Sequence, residues 1–206
     1  MKAPVQTAGQ PTSFAFTEEN LKRAKDIIAK YPEGRQASAV VPILYIAQQQ
    51  HANWLPRVAM EVVADMLDMP HIKVYEVATF YTMFNLQPVG AHLVQICTTT
   101  PCWLRGSDDI VKACKEKIGI GPGQMTADGK FSVVEVECLG ACVNAPMVQI
   151  NNDYYEDLTA ELMKNLLGNL AAGKAPPVGS QTGRRGSCAQ SGPTSLTKQA
   201  SGGKHG

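Results

Sequence analysis

Residues 92–107, HLVQICTTTPCWLRGS, and residues 131–150, FSVVEVECLGACVNAPMVQI, decide how this chain is read. Each begins as a run of apolar and β-branched residues and ends on a cysteine. That is the pattern of a strand delivering a side chain to the end of a sheet. Each strand-terminal cysteine has a companion nearby, giving Cys97-x4-Cys102 and Cys138-x3-Cys142, with about thirty-five residues between the pairs. If the two strands are neighbours, four sulfurs converge at one end of the sheet.

Working outward, Ser107-Asp108-Asp109 opens a helix carrying Val111, Cys114 and Ile118, closed by Gly119 and the GIGPG turn. Asp128-Gly129 is a turn. Met147–Ile150, Asn151-Asn152-Asp153 and Tyr154-Tyr155 make a hairpin, and Thr159 starts a last helix through Leu162, Leu166 and Leu170. The order strand–helix–strand–strand–helix predicts a small mixed sheet with helices on its faces. Upstream, the pattern is helical. Thr17 caps a helix through Leu21, Ala24 and Ile28, and Ser38 caps a second carrying Val41, Leu44 and Tyr45. A third starts at Leu55 with Pro56 at its first position; in 70–81 Ile72-Lys73-Val74 could begin a strand, but Ile72, Tyr75 and Thr79 also fit a short helix, the reading favoured here.

The expected organisation is α+β. Residues 1–13 form a disordered N-terminus, 14–86 a helical bundle and 87–172 the α/β domain. Residues 173–206 form a basic Gly/Ser/Pro-rich tail, disordered on its own. That tail holds five basic residues (Lys174, Arg184, Arg185, Lys198, Lys204) and no acidic one. The overall charge of +1 therefore hides a balance of −4 in residues 1–172. Nothing in the body resembles a nucleic-acid footprint. No apolar run approaches the roughly twenty residues that span a bilayer, so no direct membrane insertion is expected. MKAPVQTAGQPTS reads as neither a secretion nor an import signal, which places the six cysteines in a reducing compartment.

In such a compartment paired cysteines bind metal or do redox work. Gaps of four and three are wider than the two-residue knuckle usual at structural zinc, and suit two irons bridged by sulfide. On spacing alone zinc and disulfides stay open. Four thiolates, two ferric ions and two sulfides carry about −2, and reduction makes about −3, so nearby donors must offset the charge. The candidates are the amides around Thr98–Thr100 and Leu139–Ala141, the helix start near Asp108, and Arg105.

VYEVATFYTMF (Val74–Phe84), CTTTPCWLRGS (Cys97–Ser107) and ECLGACVNAPMVQINNDYYEDLT (Glu137–Thr159) resemble the small 2Fe–2S subunit family of the NADH dehydrogenase module of respiratory complex I. The resemblance runs from about Phe14 to Leu170. It implies a helical bundle followed by a thioredoxin-like ferredoxin domain, with Cys97, Cys102, Cys138 and Cys142 as ligands of a 2Fe–2S cluster. It further implies a flavin-bearing, NADH-binding partner that holds FMN and NADH, and a larger iron–sulfur subunit beside it. The function implied is one-electron transfer within an NADH:quinone oxidoreductase, with no acid, base or nucleophile of this chain's own. The place implied is peripheral, on the cytoplasmic face of a bacterial inner membrane. Related subunits serve NAD-linked hydrogenases and formate dehydrogenases, which the motifs do not separate. A structural zinc module is the rival from another class. A thiol–disulfide oxidoreductase would need a close C-x-x-C pair, which this sequence lacks.

Serine at any of the four ligand positions is expected to impair the cluster, and serine at Cys114 is not. Cys114 reads as a core residue and Cys188 as a free thiol in the tail. His51, His71 and His92 read as caps or surface residues. Phe80, Tyr81 and Phe84 read as packing rather than an electron path, and Trp103 either shields the cluster or faces a partner. By analogy with thioredoxin-like folds, Pro146 is expected to follow a cis peptide.

Overall fold

The computed structural model describes residues 9–187 and Ser191, and divides into two compact units, Met1–Ala91 and His92–Gly206. Cys188, Lys198 and Lys204 lie outside the described residues.

The first unit holds α1 (Glu18–Ile28), a 3-10 turn (Gln36–Ala39), α2 (Val40–Gln50), α3 (Arg57–Met66) and α4 (His71–Phe80). Thr17 caps α1 by accepting from the Asn20 N–H at 3.3 Å. Alanines 24, 47, 59, 64 and 78 let the helices approach closely around Ile43, Leu44, Leu55, Val63, Val74 and Phe84. Gln48 is buried but satisfied, donating to the Met83 carbonyl (3.0 Å) and accepting from the Asn85 N–H (2.7 Å). Three expectations are corrected here. Ser38 does not cap α2, because it lies inside the 3-10 turn that leads into it. α3 begins at Arg57 rather than Leu55, since Pro56 is extended and serves as its N-cap. Residues 9–13 are not detached, because the Gln10 side chain accepts from the Arg57 N–H at 2.9 Å.

The second unit holds β1 (His92–Cys97), α5 (Thr100–Leu104), α6 (Ser107–Ile118), β2 (Gln124–Met125) and β3 (Phe131–Val136). A 3-10 turn (Cys142–Asn144), β4 (Val148–Ile150), β5 (Asp153–Glu156), α7 (Ala160–Ala171) and β6 (Gly179–Ser180) follow. The sheet order is β2-β3-β1-β4-β5-β6. β1 and β3 pair in parallel from His92↔Phe131 to Cys97↔Val136, and β4 pairs antiparallel with β1. The two cysteine-bearing strands are therefore adjacent. Alternation decides what each face carries. Val94, Ile96, Val133, Val148, Ile150 and Tyr155 share one core with Ile110, Ala113 and Cys114 of α6 and Met163, Leu166 and Leu167 of α7. Both helices thus pack on the same core, side by side, not on separate faces. Cys97, one step out of phase, belongs to a second small cluster with Cys102, Ala145 and Met147.

α7 begins where the sequence places it, with Thr159 accepting from the Leu162 N–H at 3.2 Å. The main correction concerns the tail. Residues 179–180 form β6, parallel to β5, and the chain continues along the same unit through Ser187. Among the described residues, no helix is long and apolar enough to cross a membrane. Leu167 is fully buried in the core that supports β1. Leu167→Ala should cost about 2–5 kcal/mol, read as a lowered urea midpoint.

Candidate metal centre

Cys97 is the last residue of β1 and Cys102 sits in the middle of α5, a five-residue helix. Pro101 lies in its first turn, where the missing N–H costs nothing. Cys138 follows β3, and Cys142 opens the 3-10 turn before the cis Ala145–Pro146 peptide. Cys97 and Cys102 are buried, Cys142 is half-buried and Cys138 is exposed.

The thiols come as two pairs. Cys138 Sγ and Cys142 Sγ lie 3.4 Å apart, and Cys97 and Cys102 are close enough to shift each other's thiol pKa. The pairs are near enough to interact electrostatically, Cys97 with both Cys138 and Cys142, and Cys102 with Cys142. Two thiolates sharing one tetrahedral iron or zinc stand about 3.8 Å apart for bonds near 2.3 Å. The Cys138–Cys142 separation is close to that bite.

Donors surround the sulfurs. The Thr99 hydroxyl contacts Cys97 Sγ at 3.4 Å and also reaches Cys138. Burial pushes the Cys97 thiol up, but the Thr99 hydroxyl and the Leu139 and Thr99 amides outweigh it and hold the pKa below the usual range. The Gly140 amide does the same for Cys138, followed by the Cys142 thiol and Thr99. Burial, then Cys97, pushes Cys102 up to about 12 despite the Met147 amide, and Cys138 raises Cys142. In each pair the pKa of one thiol is thus lowered and that of the other raised. Thr99, Leu139 and Gly140 fall within the two segments proposed from sequence as donors.

Two proposed donors act elsewhere. Asp108 and Asp109 occupy the first turn of α6 and meet its positive end themselves. The resolved influence of Arg105 is on the Asp157 carboxylate, not on a sulfur. Sequence reasoning missed Tyr154, whose hydroxyl donates to the Leu139 carbonyl at 2.8 Å and steadies the loop after Cys138. Its signal was the hairpin alternation, which sends Tyr155 to the helices and Tyr154 to the opposite face.

The remaining candidates stand apart. Cys114 is buried in the α6 face, which raises its thiol to about 12. His71 pairs with Asp65 (2.8 Å), His51 packs against Trp54, and His92 packs against Phe131. Phe84 is core, whereas Phe80 and Tyr81 are exposed and stack edge-on. Trp103 is 57% exposed, and Leu104 (71%) and Val143 (66%) are also exposed beside the cysteine-bearing turns.

The profile of the thioredoxin-like [2Fe-2S] ferredoxin family matches residues 24–171. An NADH-quinone oxidoreductase subunit from Rickettsia bellii (strain RML369-C) is 61% identical over 159 residues, covering 77% of this chain and 95% of the relative. Its counterpart from Rickettsia felis (strain ATCC VR-1525 / URRWXCal2) is 58% identical over 156 residues, covering 76% and 93%. Among solved structures, an NAD+-reducing [NiFe]-hydrogenase in the H2-reduced state superposes with a TM-score of 0.56 at 23% identity. It covers 65% of this chain and 22% of the hydrogenase chain, a likeness of fold alone. The chain belongs to the thioredoxin-like [2Fe-2S] ferredoxin family, and a 2Fe–2S cluster is its cofactor.

Proposed function

We propose that Cys97 and Cys102 hold one iron of the cluster and Cys138 and Cys142 the other, and that the chain passes electrons singly within an NADH:quinone oxidoreductase. The observation that carries this reading is the gathering of the four thiols at the ends of two adjacent parallel strands and in the turns that follow them, with Thr99, Leu139, Gly140 and Met147 donating to them. Once bound there, the cluster accepts and releases one electron at a time. The chain's own residues ligate, donate hydrogen bonds and limit solvent. They also differ by side, since the first pair is buried and Cys138 is exposed. The exposed pair is the natural point of electron entry, because edge distance governs tunnelling.

The chain is an electron-transfer subunit of such a complex, like the relatives with which it shares most of its length. Its partners are a flavin-bearing subunit that oxidises NADH and a larger iron–sulfur subunit. It sits peripherally on the cytoplasmic face of the membrane, held by those partners. Trp103, Leu104 and Val143 give the flavin-bearing partner an apolar rim beside the ligand turns. In the complex captured through this chain, NADH should reduce the cluster, or NAD+ should reoxidise it after dithionite, according to its potential, and in the isolated chain neither nucleotide should act. A cluster in the complex whose oxidation state neither nucleotide changes would exclude this electron path.

Thr99 offers a finer test. Its hydroxyl serves sulfurs of both pairs, and removing a donor disfavours the more negative, reduced state. A hydrogen bond worth about 0.5–1.5 kcal/mol corresponds to about 20–60 mV for one electron. Thr99→Val should lower the reduction potential by that amount in a redox titration, with iron content unchanged.

A further inference from the structure

The family match ends at residue 171, yet the next stretch of chain returns to the metal-bearing loop. β6 is only two residues long and pairs with the edge strand β5, too little to hold a segment by its backbone alone. Side chains do the rest. The Gln181 N–H donates to the Glu156 carbonyl (2.9 Å) and the Ser180 hydroxyl to Asp157 Oδ2 (2.6 Å). Arg184 then turns inward, with only 13% of its side chain exposed, against an Asp157 side chain that is 14% exposed. Its Nε donates to Asp157 Oδ2 at 3.1 Å and its Nη2 to Asp157 Oδ1. The same Nη2 donates to the Val143 carbonyl (3.1 Å) and to Asn144 Oδ1 (2.5 Å). The Asn144 amide, itself buried, donates in turn to Glu156 and to the Gly186 carbonyl (3.1 Å). The loop is closed from below by the Asp157 N–H, which donates to the Asn144 carbonyl at 2.8 Å.

Val143 and Asn144 are the rest of the 3-10 turn that Cys142 opens. We infer that residues 179–187 form a strap that fixes this turn, with Arg184 as the positioning residue that locks Cys142 in place; this rests on Cys142 being a ligand, as proposed above. The chemistry calls for arginine. Nε and Nη2 together grip both oxygens of Asp157 as a planar fork, a two-nitrogen contact that a single ammonium cannot reproduce. Removing the guanidinium also leaves Asp157 and Asn144 buried and short of partners. Of the tail's five basic residues, Arg184 is turned inward onto this chain's own Asp157.

The test uses the full chain with Arg184→Gln, Arg184→Lys and, as a second variant of unchanged volume, Asp157→Asn. Two quantities are read. One is the rate at which a ferrous chelator strips iron from the anaerobic holoprotein. The other is the amide exchange of residues 142–145 in the metal-free protein, with α7 as internal reference. Arg184→Gln and Asp157→Asn should each speed iron release at least tenfold and amide exchange in 142–145 by a similar factor. Exchange in α7 should not change, and Arg184→Lys should recover part of both effects. Unchanged amide exchange would show that no strap exists. Faster exchange with unchanged iron release would show that the strap does not serve Cys142. The exchange measurement needs no cluster, so it reads the strap even if the ligand assignment fails.

Discussion

Alanine at Cys97 or Cys102 should leave the purified chain with less than about a tenth of its iron and no visible absorption. These two thiols are buried, and the pocket around them holds Ala145, Met147 and Leu139, none of which supplies a thiolate. Losing one thiolate leaves an iron three-coordinate, and the surrounding amides are arranged for a sulfur that is no longer there. Alanine at Cys138 or Cys142 should also remove the cluster. Serine at this more exposed pair should be milder, because an oxygen ligand and water can partly stand in. Cys114→Ala is the control. It lies in the α6 core, so iron and sulfide should be unchanged while the thermal midpoint falls by a few degrees, as for roughly 1 kcal/mol in a domain of this size. Equal iron in the wild type and in all four alanine variants, counted chemically, would remove the ligand assignment.

The second large effect concerns assembly. Trp103 follows Cys102 directly, in α5, and presents more than half its surface to solvent beside Leu104. An indole left exposed one residue from a redox centre gains most by burial against a partner, where tryptophan is enriched among residues costing about 2 kcal/mol or more on truncation. Trp103→Ala should therefore weaken association with the flavin-bearing subunit by about thirtyfold or more, measured by titration of the holoprotein. The iron content should stay as in the wild type, because the indole is exposed while Cys97 and Cys102 are buried. Loss of iron with affinity intact would instead assign Trp103 to shielding the cluster.

Much of this was legible in the sequence. The runs ending at Cys97 and Cys138 announced strands because their apolar residues stop abruptly at a cysteine within small, polar text. The Thr159 cap and the Leu162-Leu166-Leu170 period located α7. The donor segments followed from charge alone, since a negative centre needs amides and small residues let them approach. What was hidden depends on distance along the chain or on brevity. α5 is a single turn with no period to read, and β2 and β6 are two residues each. Arg184 meets Asp157 across 27 positions and Asn144 across 40, from within a glycine- and serine-rich stretch that suggests no structure locally. Arg105 and the start of α6 misled for another reason. Both carry the right sign of charge, but nearer carboxylates, Asp157 and Asp108–Asp109, claim it first.

The most direct measurement is the metal and sulfide content of the full chain purified without oxygen, together with the electron paramagnetic resonance of its reduced form. Two irons and two acid-labile sulfides are expected for every chain, within about a tenth, with a single-electron signal that appears on reduction as the visible colour is lost. One zinc per chain, with no sulfide and no signal, would contradict a 2Fe–2S centre on these four cysteines.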